Sequence, residues 1–256
     1  MTEEPRRFRH DSLDSEHGAS TFNPAIGKPL GARFTGNVLV FLTAICMVLT
    51  MIGLIVEWFR LTQVQAILAR GMAIDAAEAE AIDRVPIIVG FVTLAGSLVA
   101  GVAMLFWFHR AYRNLEVLGC VGRATTPGWV VGSFFIPIAN LFQPYQFAQE
   151  IWRGSDPKCL DDYAWTKQPG SPLILLWWIT RLASIIVDRV AASSLQSNNI
   201  REVIIALQLL MAAYAIGLVV DVLLITMVLR VSGRQDMKYD LLYSTDRPEA
   251  SAEFRD

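Results

Sequence analysis

Long stretches with no charged residue alternate along this chain with short charge-rich ones. The first such stretch runs from Asn37 to Val56 and closes on Glu57-Trp58-Phe59-Arg60. About 20 apolar residues carry a helix across the roughly 30 Å hydrocarbon core of a bilayer. Aromatic rings beside a charge suit its interface with water. The pattern predicts a transmembrane helix over 36–59. A second uncharged stretch, 85–108, predicts another, with Pro86 in its first turn, where a missing N–H is harmless. Residues 173–195 are apolar except for Arg181, Asp188 and Arg189, and 203–229 are interrupted only by Asp221. These predict two more helices. Asn199, with Glu202 three residues later, suits the start of the last one. Between the first two, Val64, Ile67 and Leu68 fall at helical spacing, and Asp75, Glu78, Glu80 and Asp83 make the stretch acidic. Residues 61–84 read as a short helical loop outside the bilayer.

Small residues recur every four positions on the second helix, as Thr93, Ser97 and Gly101 and as Gly96 and Ala100. Such spacing lets helix backbones approach closely in lipid. It serves packing within the protein or, on the sharper reading, a homodimer face.

Residues 124–149 are also uncharged but have a different texture. Thr126-Pro127-Gly128-Trp129 is followed by Pro137, Asn140, Gln143, Pro144 and Tyr145. Two prolines seven apart each remove a backbone hydrogen bond and break a helix. Lysine and arginine counts decide how this stretch lies, because cytoplasmic loops are enriched in them. With four crossings and 128–152 not crossing, 16 basic residues fall on one side and 5 on the other. If 128–152 crosses fully, the bias disappears. The expected topology therefore has four crossings, both termini cytoplasmic, and a proline-broken segment embedded from the cytoplasmic face. Non-helical backbone at that depth needs protein or a wet cavity around it, which predicts that the segment packs inside the bundle.

Two charges lie deep in predicted spans. Arg181 is eight residues from Leu173, and Asp221 is nine from Arg230. At about 1.5 Å per residue both sit roughly 12–14 Å from the cytoplasmic end. Each costs about 2.5–3.5 kcal/mol at a helix centre, so equal depth on neighbouring antiparallel helices predicts a direct ion pair fixing helix register. The competing reading is a polar site for an ion, a proton or a headgroup. Glu57, Asp188 and Arg189 lie nearer the outer boundary and read as interfacial.

Composition narrows the functional classes. Of the 256 residues 54% are hydrophobic and 18% charged, against about 25% charged in a typical soluble domain. A net charge of −2 excludes the basic excess that a nucleic-acid partner requires. Cys46, Cys120 and Cys159 are isolated and form no zinc or disulfide pattern. No GxSxG, HExxH or phosphate-cradling glycine loop occurs, and His109 stands alone in a basic collar. No cofactor, metal or enzyme activity is therefore expected. Residues 1–35 are polar with no apolar h-region and read, like 239–256, as a cytoplasmic tail, the former disordered. The collar residues Arg110 and Arg113 suit anionic lipid headgroups, each worth about 1 kcal/mol near the surface.

Four features between Phe106 and Trp178 together resemble a bacterial membrane family known as domain of unknown function 4328. They are the collar Arg110-Ala111-Tyr112-Arg113-Asn114-Leu115, the run Pro127-Gly128-Trp129 with Phe135-Ile136-Pro137-Ile138-Ala139-Asn140-Leu141, the stretch Pro144-Tyr145 leading into Glu150-Ile151-Trp152, and Trp177-Trp178. The resemblance implies a multi-pass protein of the bacterial plasma membrane with no assigned activity, and makes the proline segment the family's signature.

The expectation is thus an all-α, polytopic membrane helix bundle with four transmembrane helices and an embedded segment. Two functions fit. One is a structural or interaction module whose proline segment meets a partner protein, a second copy or lipid headgroups. The other is a subunit of a small-solute or ion transporter with a polar site near Asn140 and Asp221. A filled core with Asp221 sealed against Arg181 favours the first, and a polar cavity favours the second.

Overall fold

The structure is a computed structural model and describes residues 31–71, 76–160, 163–195 and 199–243. Most of both predicted tails lies outside the described residues. Among the described residues six α-helices form: α1 (Ala32–Ala69), α2 (Ala76–Val117), α3 (Pro127–Gly132), α4 (Gln143–Gly154), α5 (Pro172–Ser194) and α6 (Ile200–Tyr243). Short 3₁₀ turns occupy Ser133–Phe135, Ala139–Leu141 and Ala164–Lys167, and no strand occurs among the described residues.

Three helices, α1, α2 and α6, are long and apolar enough to cross a membrane. Their apolar surface is largely turned outward. None of the most apolar 18-residue window of α2 is buried inside the protein, and Phe91, Leu98 and Phe106 are 69%, 64% and 61% exposed. Water does not tolerate apolar surface on that scale on a monomer, whereas hydrocarbon does. The fourth expected crossing, α5, has 23 residues, but Arg181, Asp188 and Arg189 set it apart from the other three.

The long helices overshoot the uncharged stretches. At about 1.5 Å per residue, the 38 residues of α1 and the 44 of α6 span roughly 57 and 66 Å, well beyond a bilayer core of about 30 Å. The stretch 61–84, expected as a short helical loop, is helical over most of its length, as the end of α1 and the start of α2. Val64 and Ile67 continue α1 by burying against Leu207 of α6. Arg70 ends the helix, with Gly71 just after it at φ 65°, a backbone state open to glycine at no steric cost. Pro86 is not in a first turn but ten residues into α2, because the Ala- and Glu-rich stretch before it is itself helix-forming. Beyond its collar α2 runs on to Val117. There Gly119, at φ 73°, closes a Schellman motif in which the Cys120 N–H bonds the Leu115 carbonyl and the Gly119 N–H bonds that of Glu116. Asn199 caps α6 as expected, its Oδ1 accepting the Arg201 N–H at 3.0 Å.

The helix α1 packs on both α2 and α6, and α5 packs on α6. Glycines set the close approaches. A Cβ on Gly36 of α1 would lie 2.9 Å from Ser232 Oγ of α6, and one on Gly96 of α2 would lie 3.1 Å from Leu49 of α1. The Gly96 face thus meets a neighbour within the chain.

The main core lies where α1 and α5 begin and α2 and α6 end. Trp107, Phe108, Tyr112 and Leu115 of α2 are fully buried there with Ile151, Ile174, Trp177, Met227 and Val228. The proline segment packs into this core only in part, through Val130, Phe147, Ala148 and Ile151. It flanks α2 and α5 as α3, two 3₁₀ turns and α4. Pro137 sits between the turns and Pro144 opens α4, so no continuous helix forms that could insert between the long ones. The short pieces bury Val130, Ser133, Phe147 and Ile151, while Phe135, Ile138 and Phe142 are 72%, 75% and 61% exposed.

Candidate functional site: a polar cavity between four helices

A helix surface turns a residue back to the same face every three or four positions. On α1 that spacing aligns Thr43, Cys46 and Thr50, on α2 Ser97, Ala100 and Gly101, on α5 Trp177 and Arg181, and on α6 Val220, Asp221 and Leu224. These faces, with Met104, line a half-open cavity of about 200 Å³, in which Asp221 is half-buried and Arg181 is exposed. The small residues of α2 are what leave the space open. A water takes up about 30 Å³ in the liquid, so the volume suits a small solute.

The polar groups on its wall are incompletely satisfied by the protein. Thr43 is 2% exposed and Trp177 1%, yet neither the Thr43 hydroxyl nor the Trp177 indole N–H has a hydrogen-bond partner among the described residues. Buried polar groups are almost always bonded. Arg181 and Asp221 line the same cavity and feel each other's charge, but they make no direct ion pair. The bridges among the described residues are Arg33–Asp236, Arg60–Glu57, Arg60–Asp83, Arg123–Glu116 and Arg234–Asp156. No Arg181–Asp221 bridge is among them, although both side chains line this cavity. The wall therefore offers a guanidinium, an indole N–H, a hydroxyl and a carboxylate to one small volume.

The other predicted residues lie elsewhere, in a polar framework at the basic end. Asn114 donates to Gln235 Oε1 at 3.1 Å, and Gln235 Nε2 donates to the Ala111 carbonyl at 2.9 Å and to Ser155 Oγ at 3.2 Å. Glu150 accepts from the Tyr112 hydroxyl at 3.0 Å and the Ala124 N–H at 2.8 Å. Trp152 carries the Arg234 guanidinium 4.0 Å above its ring, and Arg234 also bridges Asp156 at 2.8 Å. Trp129 follows the Thr126 cap of α3, with its N–H on Thr126 Oγ1 at 3.3 Å. Tyr145 is half-buried against the core. Pro137 is exposed while Asn140 and Gln143 are half-buried, Gln143 Oε1 being buried with no hydrogen-bond partner among the described residues, and none of the three lines the Asp221 cavity. Arg110 and Arg113 make no ion pair or side-chain hydrogen bond among the described residues, and Arg113 is exposed.

Sequence reasoning missed Gln235 and Lys238, both buried on α6, and the α1 wall of the cavity. Their signals were present: Val228, Val231, Gln235 and Lys238 recur at helical spacing, as do Thr43, Cys46 and Thr50. Cys120 is part of the same framework. Its thiol donates to the Gly154 carbonyl at 3.3 Å, and burial pushes its pKa up to about 11 against the opposing pull of the Lys238 ammonium beside it.

Three long helices that turn apolar surface outward are what a helical membrane protein shows. Residues 70–233 match the family model described as Domain of unknown function (DUF4328), and the chain belongs to that family. The match contains the signature residues of α2 to α5 and reaches through the cavity wall of α6. No curated protein and no solved structure matches the chain.

Proposed function

We propose that this protein binds a small polar solute inside the membrane, in the cavity between α1, α2, α5 and α6, and acts by binding or permeation rather than catalysis. The single observation behind this reading is that Arg181 and Asp221 face one cavity without bridging each other. Opposite charges held apart over a small volume fit a zwitterion, with its carboxylate toward Arg181 and its ammonium toward Asp221. The Trp177 N–H and Thr43 hydroxyl supply further contacts for the carboxylate. In a low-dielectric setting such pairings strengthen, and ionisable residues within spans mark solute paths.

The topology that goes with this reading has α5 as a fourth crossing, packed along α6, with both termini in the bacterial cytoplasm. It puts the cavity about a third to a half of the way through the bilayer, by the depth of roughly 12–14 Å that Arg181 and Asp221 share.

The test is binding of glycine and alanine to the purified full-length protein by calorimetry, beside acetate and methylammonium as single-charge analogues. Both zwitterions are expected to bind at least about tenfold more tightly than either analogue, roughly 1.4 kcal/mol, and Asp221→Asn or Arg181→Gln to abolish the preference. Equal or absent binding of all four compounds refutes the reading. A module reading keeps one observation in its favour, the exposed apex at Phe135, Ile138 and Phe142, and predicts that none of the four binds.

A further inference from the structure

An apolar groove separates α2 from α3 on the outer surface. Val102, Leu105, Phe106 and His109 of α2 line it with Gly128 and Val131 of α3, over a volume of about 380 Å³. Gly128 helps keep it open: a Cβ built there meets nothing within 4 Å. The walls are hydrocarbon except at one end, where His109 stands. Arg113, exposed on α2, lies one turn further along the same face of the helix as His109. Neither Arg113 nor Arg110 is matched by a carboxylate among the described residues. The nearest acidic side chain on that face, Glu116, is already bridged to Arg123 at 3.3 Å.

The surroundings are those of a lipid boundary. Phe106 and Val102 are 61% and 53% exposed on the α2 side, continuous with its outward apolar face. Past α3 the apex displays Phe135, Ile138 and Phe142. A groove that is apolar along its length and cationic at one end, opening onto a surface already turned to hydrocarbon, has the shape and charge of a single phospholipid. We propose that it holds one acyl chain of an anionic phospholipid, with the lipid phosphate at His109 and Arg113. The argument is independent of the solute cavity, which lies on the opposite face of α2's packing with α1.

Native mass spectrometry of the full-length protein in mild detergent, titrated with dioleoyl phosphatidylglycerol or dioleoyl phosphatidylcholine, tests this. One phosphatidylglycerol per chain is expected to be retained, at least about tenfold in preference to phosphatidylcholine. The His109→Ala/Arg113→Ala double variant is expected to lose at least about fivefold, since one arginine near an anionic surface is worth about 1 kcal/mol. Arg113→Lys should keep the preference, and Lys158→Ala, an exposed cation elsewhere, should leave binding unchanged. Gly128→Leu fills the groove and should displace either lipid while helicity by circular dichroism is preserved. Equal retention of the two lipids, or retention of phosphatidylglycerol by the double variant at the level of the unmodified protein, overturns the proposal. If Gly128→Leu fails to fold, the double variant decides alone.

Discussion

The ammonium of Lys238 donates to the carbonyl of Gly154 at 3.0 Å while the whole Lys238 side chain is 1% exposed. No carboxylate lies within ion-pair distance of it among the described residues. Its remaining partner is Cys120 Sγ at 3.8 Å. Taking an ammonium out of water costs several kcal/mol unless it is well paired. The Gly154 carbonyl also accepts from Cys120, so it stays bonded without the lysine. Lys238→Met, which keeps the volume and removes the charge, is therefore expected to leave stability within about 1 kcal/mol or raise it. Lys238→Ala should cost about 2–4 kcal/mol through the cavity left behind. Denaturation of both variants in matched detergent separates the cases, and a Met variant as damaged as the Ala variant defeats the argument.

Gly36 fixes how closely α1 approaches α6. A Cβ there would meet Ser232 Oγ at 2.9 Å and Val228 Cγ1 at 3.2 Å. Both contacts belong to the packed core of a neighbouring helix, which cannot yield as a free side chain can. Gly36→Ala should lower stability by about 1–3 kcal/mol despite alanine's better helix propensity. The same change at Gly90, where a Cβ meets nothing within 4 Å, serves as the control and should be neutral or mildly stabilising. Similar melting temperatures for the two variants contradict this.

Arg181 and Asp221 interact through space without touching. Their coupling should then be real but smaller than that of a buried contact pair. A double-mutant cycle with Arg181→Gln and Asp221→Asn is expected to return about 0.5–1.5 kcal/mol. A value near zero means that the two charges are screened from each other, and one above about 3 kcal/mol means that they close into a contact in the membrane.

The Cys120 thiol, raised to about 11 by burial, makes a prediction with a definite sign. Its folded value lies above the ordinary thiol value of 9.0, so the native state holds the proton more tightly than the unfolded state. The associated stability is complete below about pH 9 and disappears as pH rises through about 11, worth up to about 2–3 kcal/mol. The protein should therefore lose stability between those values more steeply than Cys120→Ala does. In a variant with Cys46 and Cys159 replaced by Ala, iodoacetamide at pH 8 should modify Cys120 only on unfolding. Prompt labelling of the folded protein is inconsistent with a buried thiol.

Where the sequence was legible, one physical signal was strong. Uncharged runs of about 20 residues located α1, α2 and α6, because hydrocarbon excludes charge whatever the packing. The helix ends were not legible in the same way. Residues such as Arg234, Asp236 and Lys238 look like a polar tail until it is known that α1 and α4 supply their partners, Arg33 for Asp236 and Trp152 and Gly154 for the other two. The depth of Arg181 and Asp221 placed both on one cavity, but their distance from each other depended on small residues of α2, Ser97 and Gly101, whose role was read as packing. The proline segment was recognisable as non-helical. Its outward position followed from which faces its short pieces could bury, and that is a property of the neighbours rather than of the segment.

Helix α6 runs unbroken from Asp221 to Gln235 and Lys238, a distance of roughly 20–25 Å at about 1.5 Å per residue. A stiff rod cannot swing at one end alone. Anything that tilts it at Asp221 also levers the Gln235 and Lys238 contacts at its far end, so the two regions answer to a single mechanical element.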